Sequence, residues 1–320
     1  MQNHEDSPTP ALRRRDLLVA VGALGGVAAR PAAAQTPGPV ASSLSAASDG
    51  PNVRVDTVAP GIRQVTYDLP PANLITASAV TQLHAAVSAL ARDDSVRVVV
   101  FRSANADFFL NHFDLREASS FPRLGGPSSR AMWTDLVLRL SQASFVSIAC
   151  IRGRTRGGGN EFALACDLRY ASLERAHFGQ PEVGTGILPG GGGSERLPRL
   201  VGRDRALEAI LGSQDYDAAT AERYGWVTRA LPDAALDGFV DSFAARLASF
   251  DGPVLAAAKA QVNRATLPPP EDLDAAYAEY TQSLAGAGFP QRMRRLGQLM
   301  GSHGMDVEMR LGHYLGLIGP

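Results

Sequence analysis

Among the 320 residues there is one lysine, Lys259; the rest of the 31 basic residues are arginine. A single lysine in an alanine-rich stretch leaves a phosphate-loop lysine or a Schiff-base amine improbable. Cysteine is almost as scarce. Cys150 and Cys166 each lie in an apolar run, after Val146-Ser147-Ile148-Ala149 and Ala163-Leu164-Ala165. They read as buried thiols rather than a disulfide, and two cysteines make no zinc pattern. The six histidines form no H-E-x-x-H and no paired cluster, so no metal is expected. Excess charge is also missing. A formal net charge of -1 gives no electrostatic case for nucleic acid or an anionic membrane as partner. No G-x-S-x-G nucleophile elbow is present, because Arg196 stands where Ser194 would need a glycine. Gly184 and Gly186 begin a G-x-G-x-x-G that Pro189 breaks, leaving a dinucleotide site unsupported.

What is present is the composition of a folded globular chain, 45% hydrophobic and 20% charged, long enough for one large core and an appended piece. Residues 1–34 read as a twin-arginine-like signal segment. Arg13-Arg14-Arg15-Asp16-Leu17-Leu18 leads into an apolar stretch over 19–29, and Ala32-Ala33-Ala34 offers a cleavage site. A fortuitously apolar tail is the alternative. The stretch is too short and too glycine-rich for a stable membrane span. Residues 35–52, rich in Pro, Ser, Ala and Gly, read as a flexible linker.

The pattern then predicts strands at 53–55 and 62–67 around a Pro60-Gly61 turn, and a helix over 77–91. A β-branched strand at 96–101, a loop over 105–114, a helix over 130–143 and a strand at 145–151 follow. A glycine turn, a helix from Asn160 and a strand at 168–171 complete an α/β order. Further helices are expected over 203–211 and 217–224, the latter capped by Asp217. The α/β core is thus placed at 53–250. A helical region, broken at Leu267-Pro268-Pro269-Pro270, is placed at 251–320.

The chemistry is written in two glycine-framed turns. Gly157-Gly158-Gly159 ends an apolar strand and opens a helix, so free amides with the helix dipole behind them suit an oxyanion. Glu161 falls in that helix's first turn, and Glu182 follows Pro181 after an intervening strand. Singly these are a tight connection, a helix-stabilising acid and an exposed turn residue. Two carboxylates facing one pocket can share a water and move protons.

Taken together, residues 148–200 resemble the crotonase superfamily, the enoyl-CoA hydratase/isomerase group. The resemblance is carried by Gly157-Gly158-Gly159-Asn160-Glu161, Ala165-Cys166-Asp167, Phe178-Gly179-Gln180-Pro181-Glu182, and Gly186-Ile187-Leu188-Pro189-Gly190-Gly191-Gly192-Gly193 with Arg196-Leu197-Pro198-Arg199-Leu200. It extends over about 53–267. It implies an α/β spiral of ββα units with C-terminal helices that assemble a homotrimer or a dimer of trimers. It also implies an oxyanion hole of two backbone amides, by position Gly158 and Phe113. The latter lies in Phe109-Leu110-Asn111-His112-Phe113-Asp114, which aligns with the family's F-x-x-G-x-D loop. Glu161 and Glu182 occupy the places of the catalytic pair. The implied activity is that of a lyase adding water to a 2-enoyl-CoA thioester, with CoA as part of the substrate and no separate cofactor. A double-bond isomerase or a C–C-cleaving relative is the alternative within the family. An exported, non-catalytic binding protein is the alternative outside it.

Three departures stand out. His112 occupies the usual glycine position, where it narrows the acyl channel, contacts CoA, enters the chemistry or serves as a structural loop residue. Arg154 and Arg156 replace mostly apolar residues; with Asp114 they are candidate substrate-binding groups, the arginines for a carboxylate or the CoA phosphates, or else partners of loop acids. The acyl pocket is expected from residues 119–130 and Trp133. Lastly, CoA thioesters are cytoplasmic while the N-terminus reads as an export signal. Either the signal is spurious or the substrate is not an ordinary acyl-CoA.

Overall fold

The computed structural model describes residues 52–125 and 129–319. The expected signal segment, the linker up to residue 51 and residues 126–128 of the expected acyl-pocket segment lie outside the described residues. In chain order the strands are β1 (Val53–Ala59), β2 (Ile62–Tyr67), β3 (Val98–Ser103), β4 (Val146–Ile151), β5 (Arg154–Arg156), β6 (Leu168–Ser172), β7 (His177–Gly179), β8 (Asp215–Asp217) and β9 (Arg229–Leu231). The helices are α1 (Ala77–Leu90), α2 (Met132–Gln142), α3 (Gly158–Ala165), α4 (Glu182–Thr185), α5 (Gly193–Val201), α6 (Arg203–Gly212), α7 (Ala218–Tyr224), α8 (Asp233–Ala248), α9 (Gly252–Thr266), α10 (Pro270–Ser283), α11 (Gly288–His303), α12 (Met305–Met309) and α13 (Leu311–Leu317).

The larger sheet has the order β1-β2-β3-β4-β6-β9, antiparallel between β1 and β2 and parallel thereafter. The central strands β3 and β4 are largely apolar, with Ser147 a buried exception, because both their faces are covered. Val98, Val100, Ile148 and Cys150 point to one side, where they meet Leu236, Val240, Ala244 and Ala248 of α8. That spacing of four places the α8 residues on one helix face. Val99, Phe101, Ala149 and Ile151 point to the other side, into the main core with α1, α2 and α3. Each fully buried large apolar side chain contributes about 1.5–3 kcal/mol, so this two-sided burial dominates the sheet's stability. Both cysteines are free and buried.

β2, β3, β4 and β6 and the helices α1, α2, α3, α6 and α7 fall where the pattern predicts, with ends displaced by a residue or two; β1 runs four residues further than expected, and the pattern does not anticipate the long helix α8. Asp217 caps α7 by accepting from the Thr220 amide. The expected break is present too, with Leu267 ending α9 and Pro269 preceding α10. The second sheet, β5-β7-β8, has no counterpart in the sequence reading. Its strands have three residues each, too few to show a period, and two of them are polar (Arg154-Thr155-Arg156 and Asp215-Tyr216-Asp217).

The lone lysine is a clamp. Lys259 Nζ on α9 lies 2.8 Å from the Asp167 carboxylate and donates to the Phe145 carbonyl at 2.9 Å. Asp167 also accepts from the Ser147 amide and hydroxyl at 2.7 and 2.8 Å. The C-terminal helices do more than append. Val307, Leu311, Tyr314, Leu315 and Ile318 form their own small core, and Leu315 packs against Gly184 of α4. Among the described residues no helix is long and apolar enough to cross a membrane.

Arg156 is fully buried. It donates through Nε and Nη2 to the Asp215 carboxylate at 2.6 and 2.8 Å, and through Nη1 to the Glu308 carbonyl at 2.6 Å. Asp215→Ala is expected to strand this guanidinium and lower the unfolding free energy by about 3–5 kcal/mol. Urea titration checks this; an unchanged midpoint would show that the pair does not hold the small sheet.

Candidate active site

β5 and β7 run parallel, with Arg156 opposite Gly179, and the Gly157 amide extends the pairing by donating to Gly179 O at 3.0 Å. A helix follows each strand almost at once. The starts of α3 and α4 therefore lie side by side at the carboxyl ends of parallel strands, where helix N-terminal amides are free. Glu161 sits in the first turn of α3, and Glu182 is the first residue of α4. Gly157, with φ +49°, makes the intervening turn in a backbone region that favours glycine. A Cβ there would lie 2.6 Å from Glu182 Oε1 and 3.4 Å from His112 Cβ. At Gly159 a Cβ would lie 1.9 Å from Leu110 O. The bare backbone lets the 108–113 loop approach α3, and Gly159 N–H donates to Asn111 O at 2.9 Å.

That approach brings together the two expected oxyanion amides. Ile75 donates to His112 O and accepts from Asp114 N–H, both at 2.9 Å. In a parallel bridge of this form the flanking residues make the bonds, so the central Phe113 turns its own N–H away from Ile75. Neither the Phe113 amide nor that of Gly158, the first residue of α3, has an acceptor among the described residues. The Phe113 ring packs directly on Gly158 Cα. It also meets Phe121 and Trp133 edge-on, with centroids 4.9 Å away in each case.

The two glutamates are held differently. Glu161, 1% exposed, accepts through Oε1 from the Gly191 and Gly193 amides at 2.8 and 3.2 Å. Glu182 is oriented by a buried side-chain relay. Trp226 Nε1 donates to Asn160 Oδ1 (2.8 Å), Asn160 Nδ2 to Gln180 Oε1 (2.6 Å), and Gln180 Nε2 to Glu182 Oε2 (3.0 Å). An indole N–H only donates, so Trp226 fixes the sense of both amides and delivers a donor to Glu182.

Burial raises the pKa of both carboxyls. For Glu161 the two amides, the field of Arg196 and the nearby Trp133 indole oppose that rise. For Glu182 the Glu161 charge adds to it, and the carboxyl is pushed up to about 8. The Glu161 charge thus works against ionisation of Glu182 and favours the proton there. Arg196 acts at a distance. It is 4% exposed and bonds Val137 O and Ser141 Oγ, and its desolvation brings it down to about 10.

Five of the eight residues expected at the site converge: Glu161, Glu182, Phe113, Gly158 and His112. The other three are engaged by the chain itself. Asp114 takes a bidentate pairing from Arg116 at 2.8 and 2.6 Å and caps the 3-10 turn Leu115–Ser120. Arg154 Nε donates to Met309 O at 2.6 Å. Arg156 has no exposed surface to offer a CoA phosphate, because Asp215 and the Glu308 and Met309 carbonyls draw it inward. The sequence reading assigned no role to Asn160, Gln180, Trp226, Gly191 or Gly193. Asn160 and Gln180 adjoin the glutamates in the motif, but Trp226 lies 66 residues beyond Asn160 with nothing in its spacing to mark it.

The enoyl-CoA hydratase/isomerase family model matches residues 57–286, and the chain belongs to this family, within the crotonase superfamily. A protein of Rhizobium meliloti named as a probable enoyl-CoA hydratase is 36% identical over 204 residues, 62% of this chain and 77% of its own length. The short-chain-enoyl-CoA hydratase of Clostridium acetobutylicum is 31% identical over 201 residues, with the same two coverages. A crystal structure from Streptomyces avermitilis, provisionally described as an enoyl-CoA hydratase, matches with a TM-score of 0.81 at 41% identity, covering 86% of this chain and 100% of that one. The mixed α/β fold expected from the resemblance is the fold observed.

The relay generates a prediction. Gln180→Leu leaves Asn160 Nδ2 without its acceptor and Glu182 without its donor. The buried orphan is expected to cost about 1–3 kcal/mol of stability, read by denaturant unfolding. A variant as stable as the parent would show that the relay is not under tension of burial.

Proposed function

We propose that this protein is an enoyl-CoA hydratase-like lyase that adds water across the double bond of a 2-enoyl-CoA thioester. The observation that carries the reading is a pair of carboxyls, each raised by burial, beside two unengaged amides. Glu161, ionised, takes a proton from water as the water oxygen bonds to Cβ. The double-bond electrons shift between Cα and the carbonyl carbon, and the carbonyl electrons move onto oxygen. The Phe113 and Gly158 amides hold that oxyanion. As the carbonyl re-forms, Cα takes the proton carried by Glu182. One water has been added, and the pair's proton now rests on Glu161, from which it returns to Glu182. Trp133, Phe121 and Phe113 would line an aromatic wall of the acyl pocket. Val254 and Val262 of α9 are more than half exposed, which supports the trimer or dimer of trimers that the family resemblance implies. Light scattering at three or six chain masses checks this, and a monomer would refute it.

Glu161→Gln and Glu182→Gln are each expected to slow hydration of a short enoyl-CoA by roughly 10²–10⁴. Because the acid is Glu182, kcat/KM is expected to fall as pH rises through about 8, where Glu182 loses its proton. At the acid end it falls as Glu161 takes up a proton. Product analysis in ¹⁸O-water is decisive. A labelled 3-hydroxyacyl product is expected, whereas a shifted double bond without label, a cleaved C–C bond, or full activity in both variants would overturn the hydratase reading.

A further inference from the structure

His112 is the one convergent residue that the mechanism above leaves unused. Its Nδ1 lies 2.9 Å from Phe113 O and its Nε2 lies 3.0 Å from Glu308 Oε2. A carbonyl only accepts, so Nδ1 carries a proton. Glu308 Oε2 already accepts from Asn111 Nδ2 at 3.0 Å, and the carboxylate is 9% exposed, so this oxygen faces donors on both sides. Nε2 therefore carries a proton as well, and a ring protonated on both nitrogens is an imidazolium. The cation sits against the dyad. His112 and Glu182 flank Gly157 so closely that a single methyl group on that glycine would touch both.

We infer that His112 is a resident cation of the site, locked in its charged form by Glu308 from the C-terminal helix α12, and that this charge sets the pH range over which Glu182 keeps its proton. The inference rests on the hydratase reading only for its consequence in turnover. The charged groups facing His112 are Glu308 on α12, Arg156 on β5, Asp114 on its own loop and Glu182 on α4, with Glu161 behind Glu182 on α3. Burial works against the imidazolium and so does Arg156. The Glu308 charge and hydrogen bond, with the Phe113 carbonyl, outweigh them and raise the ring's pKa. Glu308 is lowered in turn, its burial outweighed by His112. The anchoring of the segment is independent of this pair. Arg156 and Arg154 grip the carbonyls of residues 308 and 309, which is how Glu308 reaches a loop 196 residues earlier in the chain.

The test reads proton occupancy directly. In the full chain, ¹³C NMR follows the His112 ring and the Glu182 carboxyl across pH. The His112 signal is assigned by its loss in His112→Gln or, if that variant does not fold, by its change in Glu308→Gln. The wild-type ring is expected to stay charged above the ordinary imidazole pKa of about 6.5. Removing the cation favours the neutral carboxyl, so the Glu182 titration is expected to move upward by roughly one pH unit in His112→Gln. Glu308→Gln is expected to move it the same way, and the double variant no further than His112→Gln. The alkaline limb of the hydration profile should follow. A ring that is neutral at pH 7.5, or a Glu182 titration unmoved by either substitution, overturns the inference. Absence of hydration in the wild type overturns the proposed function instead, and leaves both NMR readouts standing.

Discussion

The active-site region depends on one short interaction, the parallel pairing of β5 with β7. Three residues on each side place Arg156 opposite Gly179, and the helix starts that follow carry Glu161 and Glu182 into the same space. The same small sheet adds β8, whose Asp215 neutralises Arg156, and Arg156 in turn holds the carbonyl of Glu308. A nine-residue assembly of strands thus joins the dyad on one side to the end of the chain on the other. The larger sheet supplies the platform and most of the buried area, but it does not itself set the separation of the two acids.

The acids are tuned by unlike means. Glu161 is met by backbone amides of a glycine run, which cannot rotate away and need no partners of their own. Glu182 is met by a side chain whose orientation is dictated two residues away by a donor-only indole. In a site of low dielectric, the first arrangement favours charge and the second favours geometry. Repulsion between two nearby carboxylates then does the rest, because only one can be ionised cheaply. His112 and Arg196 are cations at the edges of this balance, one tied to an acid and one held by neutral acceptors.

Much of this was legible in the sequence, for identifiable reasons. β3 and β4 are covered on both faces and so read as largely apolar runs. The glycine turns and both glutamates were legible because local backbone demands write themselves as local residues, and the family resemblance over 53–267 agrees with the family match over 57–286. What escaped is long-range. β5, β7 and β8 are too short to have a period. Trp226 orients Asn160 from a different element, and the peculiarity of Arg154 and Arg156 is explained only by partners 59 to 155 residues away. The sequence marks these arginines as unusual; the fold turns them from the substrate side to the chain's own tail.

The reach of Glu308 has a consequence in time. It meets His112 across 196 residues and comes from an element made well after the dyad. At a synthesis rate of about 5–20 residues per second, the glycine turns and both glutamates leave the ribosome many seconds before their final neighbour. A nascent chain can close its large sheet, bring β5 to β7 and set the dyad in place while the loop histidine still lacks its counter-ion. Only when α12 emerges does the ring acquire its fixed charge. The protein's proton balance therefore waits on α12, and a chain cut short near residue 303 would carry both glutamates and the glycine turns with its electrostatics unfinished.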